Sequence, residues 1–215
     1  MDKHIEYIRS VIKKEEGLLD ELSTYAKENK IPIVKPEVAS FLSVITEMVK
    51  AERILEIGTA IGYSAIILSE GLKNSGRIDT IEREEIMVEV ASENIVRAGK
   101  KDSINIIFGD AVDVLKCLNT KYSLIFMDCA KGQYIEFYPE VMRLLEVGGV
   151  LVADNILFRD MLVDDTKVKR RKKTIVTRLN SFIDEICNDD NLKTSILPIG
   201  DGVSISYKIG DVNAE

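Results

Sequence analysis

Apolar residues recur at helical spacing from the start of the chain. Ile5, Ile8, Val11, Ile12, Leu18, Leu19, Leu22, Tyr25 and Ala26 predict a helix across 2–29, weakened in its middle by Gly17. Ile31–Lys35 reads as an extended connector. Pro36, suited to the first turn of a helix, then opens a second helix with Val38, Phe41, Leu42, Ile45, Met48 and Val49 on one face. From residue 53 the period changes. Short apolar runs at 53–57, 77–81, 104–108, 123–127 and 150–153 alternate with helical segments near 62–72, 84–98, 110–118 and 132–145. Such runs belong to a parallel sheet covered by helices on both faces. A helix near 170–187 precedes strands at 194–197 and 203–207, joined by the turn Pro198-Ile199-Gly200-Asp201-Gly202. That hairpin makes the last strand antiparallel. The pattern contains no repeat or linker and predicts one α/β domain over 1–215, with a helical N-terminal extension over 1–50.

Composition narrows the chemistry. Lys and Arg number 29 against 36 Asp and Glu, a net charge of −7, so nucleic-acid contact would need a local basic patch. The three cysteines, Cys117, Cys129 and Cys187, form no CxxC pair and suggest neither a disulfide framework nor a zinc site. The only histidine is His4, which makes a histidine-based triad or a His-rich metal centre a poor expectation. With no apolar run long enough for a bilayer and no signal-like stretch at the start, the expectation is a cytoplasmic protein without a membrane partner.

In an open parallel sheet, ligands bind beyond the carboxyl ends of the strands. Each of the five predicted parallel strands carries an acid there: Glu56, Glu82, Asp110, Asp128 and Asp154, the last followed by Asn155. Core packing alone predicts no such regularity. The loop Gly58–Gly62 matches neither a dinucleotide fingerprint nor a phosphate loop, and Glu56 beside it favours a cation over a pyrophosphate. Taken singly, two glycines are most simply a tight turn, and Glu82 is as readily a neighbour of a helix cap. Together, Glu82 suits the two hydroxyls of a ribose and Gly109-Asp110-Ala111 borders an adenine, with positive charge nearby. Those features describe S-adenosylmethionine. Asp128, Asp154 and Asn155 supply hard oxygen ligands for Mg²⁺, Mn²⁺ or Ca²⁺, although Asp154-Asn155 by itself reads equally as a strand end. Lys131 reads either as a first-turn lysine in solvent or, near a metal and a cationic cofactor, as a base with a lowered pKa.

These residues resemble the cation-dependent class I methyltransferases, the family of catechol and caffeoyl-CoA O-methyltransferases. Ile54–Ile66, Ala130–Tyr134, Asp154–Phe158 and Pro198–Ser204 look most like its bacterial members that act on 5-hydroxyuridine in tRNA. The resemblance implies a Rossmann-like α/β fold with a seven-stranded, mostly parallel sheet. It implies cofactor contacts from Val34, Glu56, Gly58, Ser64, Glu82, Asp110, Ala111 and Asp128, metal ligation by Asp128, Asp154 and Asn155, and a catalytic role for Lys131 with Asp128. Cys129 departs from the usual residue between the metal aspartate and the lysine. The implied reaction is O-methylation of a wobble 5-hydroxyuridine in the tRNA anticodon, or alternatively of a small catechol or a CoA-linked phenol. Both acceptor types pair the reacting hydroxyl with an adjacent oxygen.

Six basic residues among Lys167–Lys173 tip the expectation toward tRNA, with Lys169, Arg170, Arg171 and Lys172 as phosphate contacts. The same run suits the phosphates of CoA, and such runs are commonly solvated faces. Tyr134, Phe137 and Phe158 are candidate platforms for a flipped base. A homodimer, with the N-terminal helix at its interface, is expected from the family. A non-catalytic nucleotide-binding scaffold is the competing reading, disfavoured by the complete Asp128, Lys131, Asp154 and Asn155 set.

Overall fold

The computed structural model describes residues 3–73, 75–168 and 170–211. Seven strands form one sheet: β1 (Arg53–Ile57), β2 (Arg77–Glu82), β3 (Ile104–Phe108), β4 (Tyr122–Met127), β5 (Leu145–Asp154), β6 (Leu192–Leu197) and β7 (Val203–Lys208). The helices are α1 (Lys3–Val11), α2 (Leu18–Asn29), α3 (Pro36–Val49), α4 (Tyr63–Glu70), α5 (Glu85–Arg97), α6 (Ala111–Cys117), α7 (Tyr134–Leu144) and α8 (Lys173–Asn188). The strand order is β3-β2-β1-β4-β5-β7-β6. β1 to β5 pair in parallel, while β7 runs antiparallel to both β5 and β6.

β4 shows why this sheet needs two layers of helix. Leu124 and Phe126 pack into a cluster with α3 and α4, and Ile125 and Met127 into a second cluster with α7 and α8. Successive strand side chains point to opposite faces, so an apolar run buries both. Each such side chain contributes about 1.5–3 kcal/mol when removed from water. The chain winds outward from β1 to β3 and then returns to β4 on the other side of β1. The crevice left at that reversal lies at the carboxyl ends of β1 and β4.

Several elements depart from the pattern-based expectation. The N-terminal helix is two helices, broken where Gly17 takes φ 61° and ψ −131°. Met48 is 73% exposed, because α3 turns it outward with Val44, one turn away, while Leu42 and Ile45 face the core. β5 begins at Leu145 instead of 150; residues 146–148 are exposed and carry no apolar run to betray a strand. A 3₁₀ turn at Lys131–Gln133 precedes α7, and another at Arg170–Lys172 precedes α8, so both helices start later than expected. No helix among the described residues is long and apolar enough to cross a membrane.

Candidate functional site

A cleft of ≈ 340 Å³ opens at the reversal point, and Val34, Gly58, Ser64, Glu82, Asp110, Ala111, Asp128, Lys131 and Asn155 all line it. Among its other walls is Phe137, one of the expected stacking platforms, whereas Ile33, Tyr63 and Met87 carry only apolar or aromatic character, which marks core as readily as site. β1 and β4 approach so closely at this end that a Cβ on Gly58, at φ +107°, would stand 2.3 Å from the Asp128 carbonyl oxygen. Only glycine fits there.

Glu82 does more than face the cleft. Its Oε2 accepts from the Ala60 N–H at 2.8 Å, and its Oε1 accepts from the N–H groups of Arg83 and Glu84 at 2.9 and 3.0 Å. One carboxylate therefore ties the glycine loop of β1 to the end of β2. Asp110 caps α6, accepting from the Val112 N–H at 2.9 Å. Tyr63, at the start of α4, donates its hydroxyl to Glu15 from the turn between α1 and α2.

Glu56 is fully buried behind the loop. Thr80 donates to its Oε2 at 2.6 Å and Ser64 donates to the same carboxyl, yet Oε1 has no partner. Burial, reinforced by the charges of Asp128 and Glu82 and opposed by the two hydroxyls, pushes its pKa up to about 7. A positive ligand beside it would favour the ionised form. Thr80 and its hydroxyl partner Thr59 are further members of this network with no sequence signature.

At the other end, the register Ile57↔Met127 and Met127↔Ala153 brings the ends of β1, β4 and β5 side by side. Asp128 pairs with Lys131 at 2.7 Å. Asp154 is buried; its Oδ1 accepts from the Asn155 N–H at 2.7 Å, and Oδ2 has no partner. Its pKa is pushed up, first by burial and then by the charge of Asp128. Asn155 is left-handed at φ 57° and lines the cleft. Among the described residues no three His, Cys, Asp or Glu side chains group to hold an ion. The candidate set is thus two aspartates and an amide oxygen, with the Lys131 ammonium as counter-charge. The orphaned Asp154 oxygen is consistent with a cation ligand. The Cys129 thiol between Asp128 and Ala130 is pushed up to about 12 by burial and remains neutral.

Of the three expected aromatic platforms, Phe137 is the one among the residues lining the cleft, although little of its surface is exposed. Tyr134 is fully buried, its hydroxyl 2.9 Å from the Met127 carbonyl and 3.0 Å from that of Asp154, and Phe137 is 2% exposed. Their spacing on α7 turns both toward α8 and the sheet. Phe158 is only partly buried, with the Lys172 ammonium 5.4 Å from its ring centroid. Arg170, Arg171 and Lys173 are exposed, Lys167 pairs with Asp160 at 2.7 Å, and Lys169 lies outside the described residues.

Comparison with known proteins gives a consistent result. A family model described as O-methyltransferase matches residues 9–209. The catechol O-methyltransferase of Niastella koreensis is 31% identical over 169 residues, covering 76% of each chain. The caffeoyl-CoA O-methyltransferase of Populus kitakamiensis is 24% identical over 214 residues, covering 96% of this chain and 87% of its own. The crystal structure of an O-methyltransferase from Bacillus cereus in complex with SAH superposes with a TM-score of 0.84 at 25% identity, covering 95% of this chain and 96% of that one.

Proposed function

The chain belongs to the O-methyltransferase family, and we propose that it moves the methyl group of S-adenosylmethionine onto a hydroxyl with a second oxygen on the adjacent carbon, as in a catechol or a CoA-linked phenol. The observation that carries this reading is a pair of buried, unpartnered carboxylate oxygens, Glu56 Oε1 on β1 and Asp154 Oδ2 on β5, flanking Asp128 at the end of β4. Buried polar atoms are rarely left unsatisfied, and a carboxylate oxygen is best satisfied by positive charge. On the Glu56 side that charge belongs to the methyl donor. On the Asp154 side, Asp128, Asp154 and Asn155 would hold a divalent cation of the Mg²⁺ class, which supplies acidification and orientation of the acceptor oxygens.

The chain's own groups do the rest. Glu82 and Asp110 accept hydrogen bonds from the nucleoside portion, and Gly58 permits close approach at its carbonyl edge. Lys131 sits 2.7 Å from Asp128, where its ammonium offsets acidic charge or, once neutral, takes the acceptor's proton. The oxygen forms its bond to the methyl carbon as the carbon–sulfur bond breaks, and the proton leaves to Lys131 or to water. Alignment of the two reactants contributes up to about 7–11 kcal/mol in reactions of this kind.

The basic stretch supports a second reading of the acceptor. Exposed Arg170, Arg171 and Lys173, with Lys172 over Phe158, suit an acceptor that carries phosphate, including 5-hydroxyuridine in a tRNA anticodon loop. One assay separates the readings: transfer from labelled S-adenosylmethionine with Mg²⁺, offered a catechol or tRNA bearing 5-hydroxyuridine, each with and without chelator. Chelator-sensitive labelling of the catechol is expected. Labelling of the tRNA alone moves the acceptor to the second reading, and transfer that ignores the chelator refutes the metal.

A further inference from the structure

Glu37, in the first turn of α3, is a buried carboxylate; its side chain is 1% exposed. Its partner comes from the N-terminal extension. Arg9 on α1 meets it with a two-pronged contact, Nε to Oε2 at 2.7 Å and Nη2 to Oε1 at 2.8 Å. The Gly200 N–H donates to the same carboxylate. Burial alone would raise the Glu37 pKa, but Arg9 and the backbone donors bring it below the ordinary carboxylate range. A Cβ on Gly200, at φ +59°, would stand 2.6 Å from Val38 Cγ2, so the β6–β7 turn is pressed against α3 at this point.

The same turn grips the acceptor side of the site. The Asp201 carbonyl accepts from the Leu157 N–H at 2.9 Å, and the Gly202 carbonyl accepts from the Ile156 N–H at 3.0 Å. Asp201 Oδ1 accepts from the Arg159 N–H at 2.6 Å. The segment held in this way is strained. Asn155, Phe158, Arg159 and Asp160 have φ of 57°, 46°, 57° and 60°, and left-handed backbone at non-glycine residues costs roughly 1–2 kcal/mol each. Such a conformation persists only where its surroundings over-determine it. α1 has no buried residue, and the Arg9 fork ties it to α3.

We propose that Arg9 and Glu37 are positioning residues for the acceptor. Arg9 fixes Glu37, Glu37 fixes the 198–202 turn, and Asp201 in that turn holds the left-handed 155–160 segment that presents Asn155 and Phe158. The N-terminal extension thereby sets the shape of the acceptor side through Arg9 and Glu37, while it meets the cofactor side by a different route, through Val34 and the Glu15–Tyr63 contact. The inference rests on the reading of that side as the acceptor site, so its test includes a readout independent of any acceptor.

The experiment uses the full chain carrying Arg9→Met, Glu37→Gln or Arg9→Lys. Amide hydrogen exchange is followed at Ile156, Leu157 and Arg159, S-adenosylmethionine affinity by calorimetry, and acceptor KM in the transfer assay. Loosening a charge-assisted contact predicts about tenfold faster exchange at those three amides and a similar rise in acceptor KM, with cofactor affinity unchanged. Arg9→Lys restores part of both, since a lysine keeps the charge and loses the fork. Should Arg9→Met fail to fold, Arg9→Lys carries the comparison. Unchanged exchange in a folded variant overturns the proposal, and so does an equal loss of cofactor affinity, which marks a merely structural pair. Faster exchange in a protein that methylates neither catechol nor tRNA supports the positioning chain and refutes the proposed acceptors instead.

Discussion

Replacing Glu56 with glutamine removes a buried carboxyl group that the cofactor-free protein carries at a cost. Its pKa is pushed up to about 7 from an ordinary 4.5, with burial as the main cause. Since one pKa unit corresponds to 1.36 kcal/mol, the ionised carboxylate costs the folded state about 3 kcal/mol once the pH is above both values. The sign follows from proton counting. Between pH 4.5 and 7 the folded state holds more protons at this position than the unfolded chain, so stability is full below 4.5 and falls as pH rises through 7. Asp154 acts in the same direction, but it is present in both proteins and cancels in their difference. Denaturant unfolding of the cofactor-free wild type and of Glu56→Gln, from pH 4.5 to 8.5, should therefore give curves that separate by about 3 kcal/mol toward the alkaline end, the variant being the steadier. Saturating S-adenosylmethionine, which places positive charge near the carboxylate, should narrow or invert that gap. Parallel curves at every pH would falsify the assignment of Glu56 as a carboxylate held for a cationic ligand.

Asp154→Ala should abolish transfer while calorimetry still detects the cofactor; turnover that survives both this change and chelation removes the metal role. Gly58→Ala forces a methyl group toward the Asp128 carbonyl, 2.3 Å from where its Cβ would stand. It should lose about 3 kcal/mol in denaturant unfolding and most cofactor affinity, from overpacking combined with left-handed strain; a stable variant with normal affinity would contradict the close approach of β1 and β4. Arg170→Glu combined with Arg171→Glu should weaken tRNA binding and flatten its dependence on salt, and an unaltered slope assigns those residues to a solvated face.

Much of this protein is determined locally. Strands and helices follow from apolar spacing, because a period of two or 3.6 decides which side chains a single element can bury together. The acids at the strand ends were legible for a related reason: parallel strands all end at one edge of the sheet, so Glu56, Glu82, Asp110, Asp128 and Asp154 had to share a neighbourhood. Tertiary structure decided what depends on distant partners. Met48 has the same apolar character as Leu42, and only the placement of α3 turns one out and the other in. Tyr134 and Phe137 have the same aromatic character and both pack toward α8, yet only Phe137 reaches the cleft wall. The sequence offers Glu82 as a ribose ligand, while its tie to Ala60 exists only once β1 and β2 lie side by side. Arg9 and Glu37 are 28 residues apart, and neither has a spacing that announces the other. Their pairing comes from burial: a carboxylate excluded from water must find positive charge, and only the folded chain determines which cation is within reach.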